Sequence, residues 1–438
     1  MLQGTATNQT IAVNLDRDLL RSNALVETWA ISLKAKPLAL MHALKRAISG
    51  RQPLADAMAQ ELPIDPASLV YDTEQLQRLD EARAGGASVV LQSRLPRAWT
   101  LAIARHLGFA APDAEQASVP VNEASRAIPA EAAIPATKRT SLLGRLRIYA
   151  KAMRVEQWSK NVLVFAPAVL AHRLGEPNVL IASIIAFFCL SLVASSIYLL
   201  NDTMDLKQDR RHPVKRNRPF ASGALPVAHG LVLMPVLLIA AVGLSLFLPP
   251  MFLGIIGAYV VLNFAYTFYL KRRLMVDVLA LAASYTLRIL AGNVATTIEL
   301  SFWLLSLSMF LFLSLALVKR YVELDTVSIE APDEKRVMGR GYRYSDIDML
   351  AQIGVSSGFS AVLVLALYVD RAGRVGLYKT PELIWLICPL LLYVIARIWV
   401  LAKRRELPDD PVHFLIRDWR SHLIGIFVAI IMLLATWV

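Results

Sequence analysis

Apolar residues in this chain are gathered into blocks of roughly 20, the length that an α-helix needs to cross about 30 Å of hydrocarbon. Of the 438 residues, 56% are hydrophobic and only 18% are charged. A soluble domain averages about 45–50% apolar and about 25% charged residues. The pattern therefore predicts an all-α polytopic membrane protein.

The blocks predict nine membrane helices in the region that begins at residue 143. The first is short, at 161–171, and an amphipathic stretch at 147–160 leads into it. The others are expected at 178–200, 227–248, 251–270, 275–294, 301–318, 350–369, 383–402 and 421–438.

The basic residues of the membrane part lie mainly in loops on one side of these helices, after the second, fourth, sixth and eighth. By the positive-inside rule, these loops and the N-terminus face the cytoplasm and the C-terminus faces outward. The formal net charge of +12 thus indicates a basic cytoplasmic membrane surface rather than a nucleic-acid partner.

Three acidic residues follow the second predicted helix directly, in the pattern N-D-x-x-D-x-x-x-D at 201–209. Asp202, Asp205 and Asp209 would share an arc of about 60° on a helix. Oxygen ligands without Cys or His favour a hard ion such as Mg²⁺, which carboxylates and substrate phosphates usually hold together. We predict that all three are catalytic metal ligands, that Mg²⁺ is the cofactor, and that Asp209 lies nearer solvent and is less sensitive to substitution.

Basic residues come immediately after the acids, in the pattern H-P-x-K-R-x-R-P at 212–219. Lys215, Arg216 and Arg218 carry donors that make charge-assisted hydrogen bonds to phosphate. A solvated basic loop would explain these charges, but it would not explain acids at helical spacing beside a membrane helix. The combined stretch therefore indicates a site for a diphosphate.

The acidic stretch resembles the first aspartate motif of the UbiA superfamily, and the basic stretch resembles its polyprenyl-phosphate phosphoribosyltransferase branch. Upstream, R-V-E-Q-W-S-K-N at 154–161 is similar to the branch's R-P-x-Q-W-x-K-N, with Val155 in place of the proline. Alone, this stretch would equally fit an interfacial amphipathic helix. The resemblance implies substrate-binding roles for Arg154, Gln157, Lys160, Asn161, Asn201, Lys215, Arg216 and Arg218.

A second polar patch follows the fourth membrane helix. Ordinary UbiA prenyltransferases carry D-x-x-x-D here, but Asp277 is followed four positions later by Leu281, and the phosphoribosyl branch likewise has a single Asp. Arg288 would lie about 20° from Asp277 on one helix, three turns deeper, and should face a polar cavity. We predict that Asp277 is catalytic and that Tyr266, Lys271 and Arg288 bind substrate; an internal salt bridge is the alternative for Arg288.

Other polar groups receive no catalytic role. Lys319, Arg320 and Glu323, together with 340–342, are expected to serve topology and loop packing. The loop at 403–420 resembles the last cytoplasmic loop of the branch, and no role follows for it.

The chain before the membrane part is predicted to form a cytoplasmic domain at 1–113, joined through an Ala/Pro-rich linker at 114–142 to the transferase domain at 143–438. V-N-L-D-R-D-L at 13–19 resembles the first motif of haloacid-dehalogenase phosphatases, with Asn14 at the nucleophile position, and 88–94 with 102–108 resembles the second. An amide cannot replace the nucleophilic carboxylate. We expect a small, degenerate α/β domain that is inert or structural, so that a chain starting near residue 140 should keep activity.

The resemblance over 143–438 implies nine helices around a central cavity that opens to the cytoplasm of a bacterial inner membrane. It implies Mg²⁺-dependent transfer of 5-phosphoribose from phosphoribosyl diphosphate to a polyprenyl phosphate of the decaprenyl type, which would feed arabinofuranose donor synthesis for a cell envelope. Expected partners are these two substrates and the membrane, and no nucleic acid is expected. A homo-oligomer is compatible with the sequence.

Two alternatives stay open. One is a UbiA-type aromatic prenyltransferase that uses a prenyl diphosphate, against which the single Asp277 argues. The other is a transporter of an anionic solute, which gives no reason for the three aspartates.

Overall fold

The computed structural model describes residues 10–50, 52–110, 141–330, 341–375, 378–408 and 410–437. The chain divides into two compact units, Met1–Val155 with Ser195–Leu237 and Glu156–Ala194 with Leu238–Val438. The structure is mostly helical with a small N-terminal sheet, as the sequence predicts. The expected linker lies outside the described residues up to residue 140.

The N-terminal part of the first unit is a small α/β fold built on two parallel strands. Strand β1 (Thr10–Asn14) pairs with β2 (Ser88–Gln92), and parallel neighbours require a crossover such as the intervening helices provide. The helices of this part are α1 (Ala24–Ala35), α2 (Pro37–Ile48), α3 (Leu54–Glu61), α4 (Thr73–Ala84) and α5 (Arg97–Leu107).

Strand β2 lies within the stretch 88–94 that the sequence analysis singles out, and α5 contains most of the stretch 102–108. Asn14 ends β1, and its side-chain oxygen accepts hydrogen bonds from the backbone N–H groups of Asp16 and Arg17, both at 3.1 Å. Ser93 Oγ donates to Asp16 Oδ2 at 2.8 Å. Asn14 therefore caps a turn at the end of its strand, which is a structural use of the amide.

The membrane part contains a series of helices separated by short 3₁₀ segments. In chain order they are α6 (Leu142–Ala152), a 3₁₀ helix (Val155–Phe165), α7 (Ala166–Leu170), α8 (Pro177–Met204), α9 (Leu206–Arg211), α10 (Val227–Ser245), α11 (Met251–Phe268), α12 (Val276–Thr296), α13 (Phe302–Glu330), α14 (Ile347–Val375), α15 (Ile387–Lys403), α16 (Pro411–Arg417) and α17 (Trp419–Trp437).

Eight helices within the described ranges are long and apolar enough to cross a membrane. They span Pro177–Met204, Val227–Ser245, Met251–Phe268, Val276–Thr296, Phe302–Thr326, Tyr344–Val369, Pro381–Lys403 and Trp419–Trp437. These eight correspond to the last eight of the nine predicted helices.

The first predicted membrane helix, at 161–171, has a different form. Its first residues end the 3₁₀ helix, and the rest forms the short α7 with Pro167 in its first turn. Proline has no N–H to donate and its ring hinders the preceding turn, so it disfavours a regular α-helix through this position and is accommodated in the first turn of α7. The segment is helical, but it is not one continuous membrane-length α-helix.

Close backbone contacts bring the helices of the second unit together. An added Cβ on Gly292 of α12 would collide with the Val164 carbonyl group, whose carbon would lie 2.9 Å away. Ser314 Oγ of α13 donates to the Gly354 carbonyl at 2.7 Å and accepts from Trp399 Nε1 at 3.1 Å. Small residues and interhelical hydrogen bonds are the usual basis of helix association in membranes.

Candidate active site

The predicted aspartate motif lies where α8 ends and α9 begins. Asp202 belongs to the last turn of α8, whereas Asp205 is the N-cap of α9, with φ −97° and ψ 10°. The backbone N–H of Asp205 still donates to the Asn201 carbonyl at 2.9 Å. The prediction of three acids on one continuous helical face is therefore wrong, because the helix is interrupted at the middle acid.

Asp202 and Asp209 nevertheless converge on one guanidinium group. Arg218 Nη1 lies 3.1 Å from Asp202 Oδ1 and 2.6 Å from Asp209 Oδ2. The two carboxylates are only 4% and 6% exposed, and buried charges require a partner of opposite sign. The fold thus creates a position between two carboxylates that is suited to a cation.

Asp205 is directed elsewhere. Its carboxylate pairs with the Lys34 ammonium group of α1, and its side chain is 23% exposed. The expectation that Asp209 is the most solvent-accessible acid is therefore wrong, since Asp205 is. Among the described ranges, no group of three or more His, Cys, Asp or Glu side chains is placed to hold one metal ion.

The donor set of Asp202 and Asp209 still fits Mg²⁺. Mg²⁺ is usually bound through one or two carboxylates, with substrate phosphates and water completing its shell. The shared Arg218 nitrogen shows that a positive charge is accommodated between the two oxygens. Two carboxylates, rather than the predicted three, are thus brought together.

Arg154, which the sequence predicts as a substrate-binding residue, also reaches this cluster. Its guanidinium pairs with Asp202 and lies 4.8 Å from the centre of the Tyr198 ring. Its backbone has φ +51°, a left-handed conformation that disfavours a side chain with a Cβ by about 1–3 kcal/mol. Lys215 and Arg216, in contrast, lie in an exposed 3₁₀ turn.

A buried cation lies in the second unit at Arg288, in α12. It is 5% exposed; its Nε donates to Asn161 Oδ1 and its Nη2 donates to Tyr259 OH, both at 2.8 Å. Its guanidinium lies 5.1 Å from the ring centres of Tyr259 and Tyr285. Within the described part of the chain, no carboxylate pairs with Arg288, so the salt-bridge alternative is wrong there and the charge favours an anion.

Asn161 positions this arginine. The residue is 1% exposed, and its Nδ2 donates to Ser191 Oγ at 3.0 Å while its Oδ1 accepts from Arg288. Both ends of the amide are therefore engaged within the protein. The structure places Asn161 behind Arg288 rather than at a free binding surface.

Asp277, predicted to be catalytic, is enclosed by partners from outside its own helix. It is fully buried, lies 2.7 Å from Arg320 Nη2 through Oδ2, and accepts a hydrogen bond from Tyr342 OH through Oδ1. Burial and the hydrogen bond to Asp277 raise the pKa of Tyr342 far above its ordinary value, so the hydroxyl stays a donor. The charge of the carboxylate is thus compensated without metal or substrate, although among the described residues Oδ2 accepts no hydrogen bond.

Sequence reasoning missed this network, since it assigned Arg320 and Tyr342 to topology and loop packing. One signal was present: an acid within an apolar helix requires a basic or hydrogen-bonding partner. Arg320 follows an apolar run, with only Lys319 between them. Arg340, named with Tyr342 in the prediction, lies outside the described residues.

Lys160 pairs with Asp410, in the loop to which the sequence assigns no role. Burial alone would raise the pKa of Asp410, but the Lys160 and Lys319 ammonium groups outweigh this effect and hold it below its ordinary value. Asp410 is therefore an ionised partner of Lys160. Its neighbour Asp409 lies outside the described residues.

The remaining predicted site residues are half-buried. Gln157 lies in the 3₁₀ helix before α7, Tyr266 lies near the end of α11, and Lys271 lies in the 3₁₀ turn Leu270–Arg272 that follows. Asn201 is half-buried at the end of α8.

Apolar helices of this number and length, with ionic side chains buried between them, define an integral membrane protein. Residues 161–417 match the UbiA prenyltransferase family. The chain therefore belongs to the UbiA prenyltransferase family, whose members are transferases. The match does not include the N-terminal part, whose resemblance to haloacid-dehalogenase phosphatases stays a prediction.

Three relatives cover different shares of the chain. The uncharacterized protein y4nM of Sinorhizobium fredii is 29% identical over 95% of this chain and 89% of its own. The nodulation protein NoeC of Azorhizobium caulinodans is 36% identical over 62% of this chain and 88% of its own. A decaprenyl-phosphate phosphoribosyltransferase of Corynebacterium glutamicum is 39% identical over 40% of this chain and 54% of its own, so that only about half of that protein is matched.

A solved structure supports the fold. The UbiA homolog from Archaeoglobus fulgidus bound to DMAPP and Mg²⁺ has a TM-score of 0.50 and 13% sequence identity, covering 66% of this chain and 97% of that one. At this identity the likeness shows the fold alone.

Proposed function

We propose that the protein transfers 5-phosphoribose from phosphoribosyl diphosphate to a polyprenyl phosphate and releases diphosphate. The observation that carries this proposal is the enclosure of Asp277 by Arg320 and Tyr342. A UbiA enzyme acting on a prenyl diphosphate would use a second acidic pair here to hold Mg²⁺. In this chain the second acid of the pair is replaced by Leu281, and the charge of Asp277 is already compensated by Arg320. This arrangement favours a substrate whose diphosphate is bound through the first aspartate motif alone.

In the proposed reaction, Asp202 and Asp209 would hold Mg²⁺. The ion, when bound, would neutralise charge on the diphosphate leaving group. Arg154 pairs with Asp202, and Arg218 pairs with both carboxylates. An incoming phosphate would offer these arginines new acceptors for charge-assisted hydrogen bonds. We infer that these arginines bind phosphate oxygens and stabilise the charge that develops as the C1–O bond breaks.

Arg288 is suited to a second anionic group. Its charge is buried, it is surrounded by neutral partners, and Asn161 fixes the orientation of its planar donors. A phosphate would compensate this charge, which supports a role in binding one of the two substrates. The attacking oxygen belongs to a lipid phosphate that is already anionic at neutral pH, so positioning rather than a strong general base is required.

Asp277, Arg320 and Tyr342 would act as a positioning group. Their mutual contacts secure the start of α12, the helix that carries Arg288. We therefore replace the catalytic role predicted for Asp277 by a structural one.

The similarity to a decaprenyl-phosphate phosphoribosyltransferase over 178 residues supports the same choice of substrates. We further propose that the site faces the cytoplasm of a bacterial inner membrane, where phosphoribosyl diphosphate is made, and that the product feeds synthesis of an arabinofuranose donor. The basic loops that follow alternate helices support this orientation.

The test uses purified protein, Mg²⁺, a polyprenyl phosphate and phosphoribosyl diphosphate labelled in its ribose. Label should enter the organic phase with wild-type protein and with Asp348→Asn, a control at an exposed acid, but not with Asp202→Asn. Label that stays aqueous, together with transfer from a prenyl diphosphate to an aromatic acceptor, would overturn the proposal in favour of the prenyltransferase alternative.

A further inference from the structure

We propose that Lys34, a residue of the N-terminal α/β part, is a diphosphate-binding residue of the aspartate site. This inference rests on the proposed function, because it assumes that the aspartate motif binds a diphosphate with Mg²⁺. It assigns a role to a part of the chain that the sequence predicts to be inert.

The first support is the pattern of ion pairs at the motif. Each of its three acids holds a cationic side chain: Arg154 and Arg218 on Asp202, Arg218 on Asp209, and Lys34 on Asp205. Arg154 and Arg218 are the residues inferred above to take phosphate oxygens. Lys34 stands in the same relation to the third acid.

The second support is that the N-terminal part is anchored on α9, the helix that carries Asp209, independently of Lys34. Arg210 makes a bidentate pair with Glu27, with Nη2–Oε1 at 2.6 Å and Nη1–Oε2 at 2.9 Å. Glu27 is 1% exposed and Arg210 is 11% exposed. Lys207 pairs with Asp65 at the edge of the same contact.

Helical geometry connects the anchor to Lys34. Glu27 and Lys34 both lie in α1 and are seven residues apart, which places them on the same face, two turns from each other. The face of α1 that buries Glu27 against Arg210 therefore presents Lys34 to Asp205. The buried Glu27–Arg210 pair therefore fixes the orientation of α1 in which Lys34 reaches Asp205.

The third support is that the Lys34–Asp205 pair is only partly buried. The side chains of Lys34 and Asp205 are 15% and 23% exposed, so water partly screens the pair and reduces its contribution to stability. A lysine has a flexible stem and three donors, so its ammonium group can turn from Asp205 to a phosphate oxygen. When Mg²⁺ balances the acids, a phosphate becomes the available counter-charge.

The experiment measures binding of Mg²⁺ with inorganic diphosphate to the full-length protein by calorimetry, with melting temperatures recorded in parallel. Lys34→Ala should weaken diphosphate binding about tenfold or more, because a charge-assisted hydrogen bond is lost. Lys34→Arg should restore most of the affinity. Lys45→Ala, which removes the same charge from an exposed position of α2, should bind like wild type, and all melting temperatures should agree closely.

Two outcomes would overturn the assignment while leaving the proposed function intact. In one, Lys34→Ala binds diphosphate like Lys45→Ala, and Lys34 is then only a surface partner of Asp205. In the other, Lys34→Ala binds Mg²⁺ diphosphate more tightly, and Lys34 is then a competitor for the acid. Failure of the wild-type protein to bind Mg²⁺ diphosphate would instead overturn the proposed function, and the role of Lys34 with it.

Discussion

Replacing Asp277 with Asn should destabilise the protein and leave the chemistry of the folded fraction largely intact. Asp277 and Arg320 are 0% and 1% exposed and lie 2.7 Å apart, and removing one partner of such a pair costs about 3–5 kcal/mol. Arg320 also pairs with Glu323, which is 31% exposed, so part of its charge stays compensated. We therefore expect a loss near the lower end, about 3 kcal/mol.

The loss would be a large fraction of an ordinary stability of about 5–15 kcal/mol. In detergent, the melting temperature of the variant should be several degrees below that of wild type. It is measured by size-exclusion chromatography of heated samples. Activity is then measured at a temperature at which the variant is folded, and expressed per folded molecule. A role in positioning predicts turnover within about a few-fold of wild type under these conditions.

The double variant Asp277→Leu with Arg320→Met provides the control. It removes both charges of the buried pair, and Glu323, which also loses its contact with Arg320, is 31% exposed and stays accessible to water. Apolar replacement of a buried ion pair is often neutral or stabilising. The double variant should therefore melt closer to wild type than Asp277→Asn does. An Asp277→Asn protein that melts like wild type but has lost turnover would refute the structural role and return Asp277 to the catalytic residues.

Three further outcomes follow from the geometry. Asp209→Asn should reduce turnover as strongly as Asp202→Asn, by about 100-fold or more, because an amide is a poor Mg²⁺ ligand; a loss under tenfold in a direct assay would contradict the shared cation position. Arg288→Lys keeps the charge but loses the planar fork, so the Michaelis constant for one substrate should rise about tenfold with a nearly unchanged melting curve; unchanged Michaelis constants would exclude substrate contact. Hydrogen bonding to Arg397 lowers the pKa of Asp418 to about 2. The stabilisation that this pair gives the folded protein is therefore full above about pH 4 and is lost as the pH falls toward the pKa of the folded state. Melting temperatures measured over this pH range should fall less for Asp418→Asn than for wild type.

The membrane helices could be predicted from the sequence because the thickness of the hydrocarbon layer sets the length of each apolar block. The last eight predicted helices correspond to the eight membrane-length helices of the described chain. The predicted helix at 161–171 is not one continuous α-helix, because Pro167 lacks a backbone N–H and its ring hinders the preceding turn. The average hydropathy of a segment does not report such a local effect.

The candidate site was predictable where its residues are close in sequence. Asp202, Asp209 and Arg218 lie within one short stretch, which the sequence analysis treats as one site, although the continuous helix that it assumed is interrupted at Asp205. The partners of Asp277 and Glu27 were not predictable in this way. Arg320 belongs to the next long helix, and Arg210 lies 183 residues from Glu27, so that neither periodicity nor local charge pattern relates the two members of a pair.

The separation of Glu27 from Arg210 also bears on how the protein is made. The N-terminal part leaves the ribosome first, and domains generally fold in that order. Arg210, the partner of its Glu27, does not exist until synthesis has passed through α8 and reached α9. Until then, the Glu27 carboxylate must stay hydrated, and the face of α1 that carries it cannot pack against α9. Docking of the N-terminal part is therefore a late step in biogenesis, which becomes available only after the first long membrane helix has been synthesised.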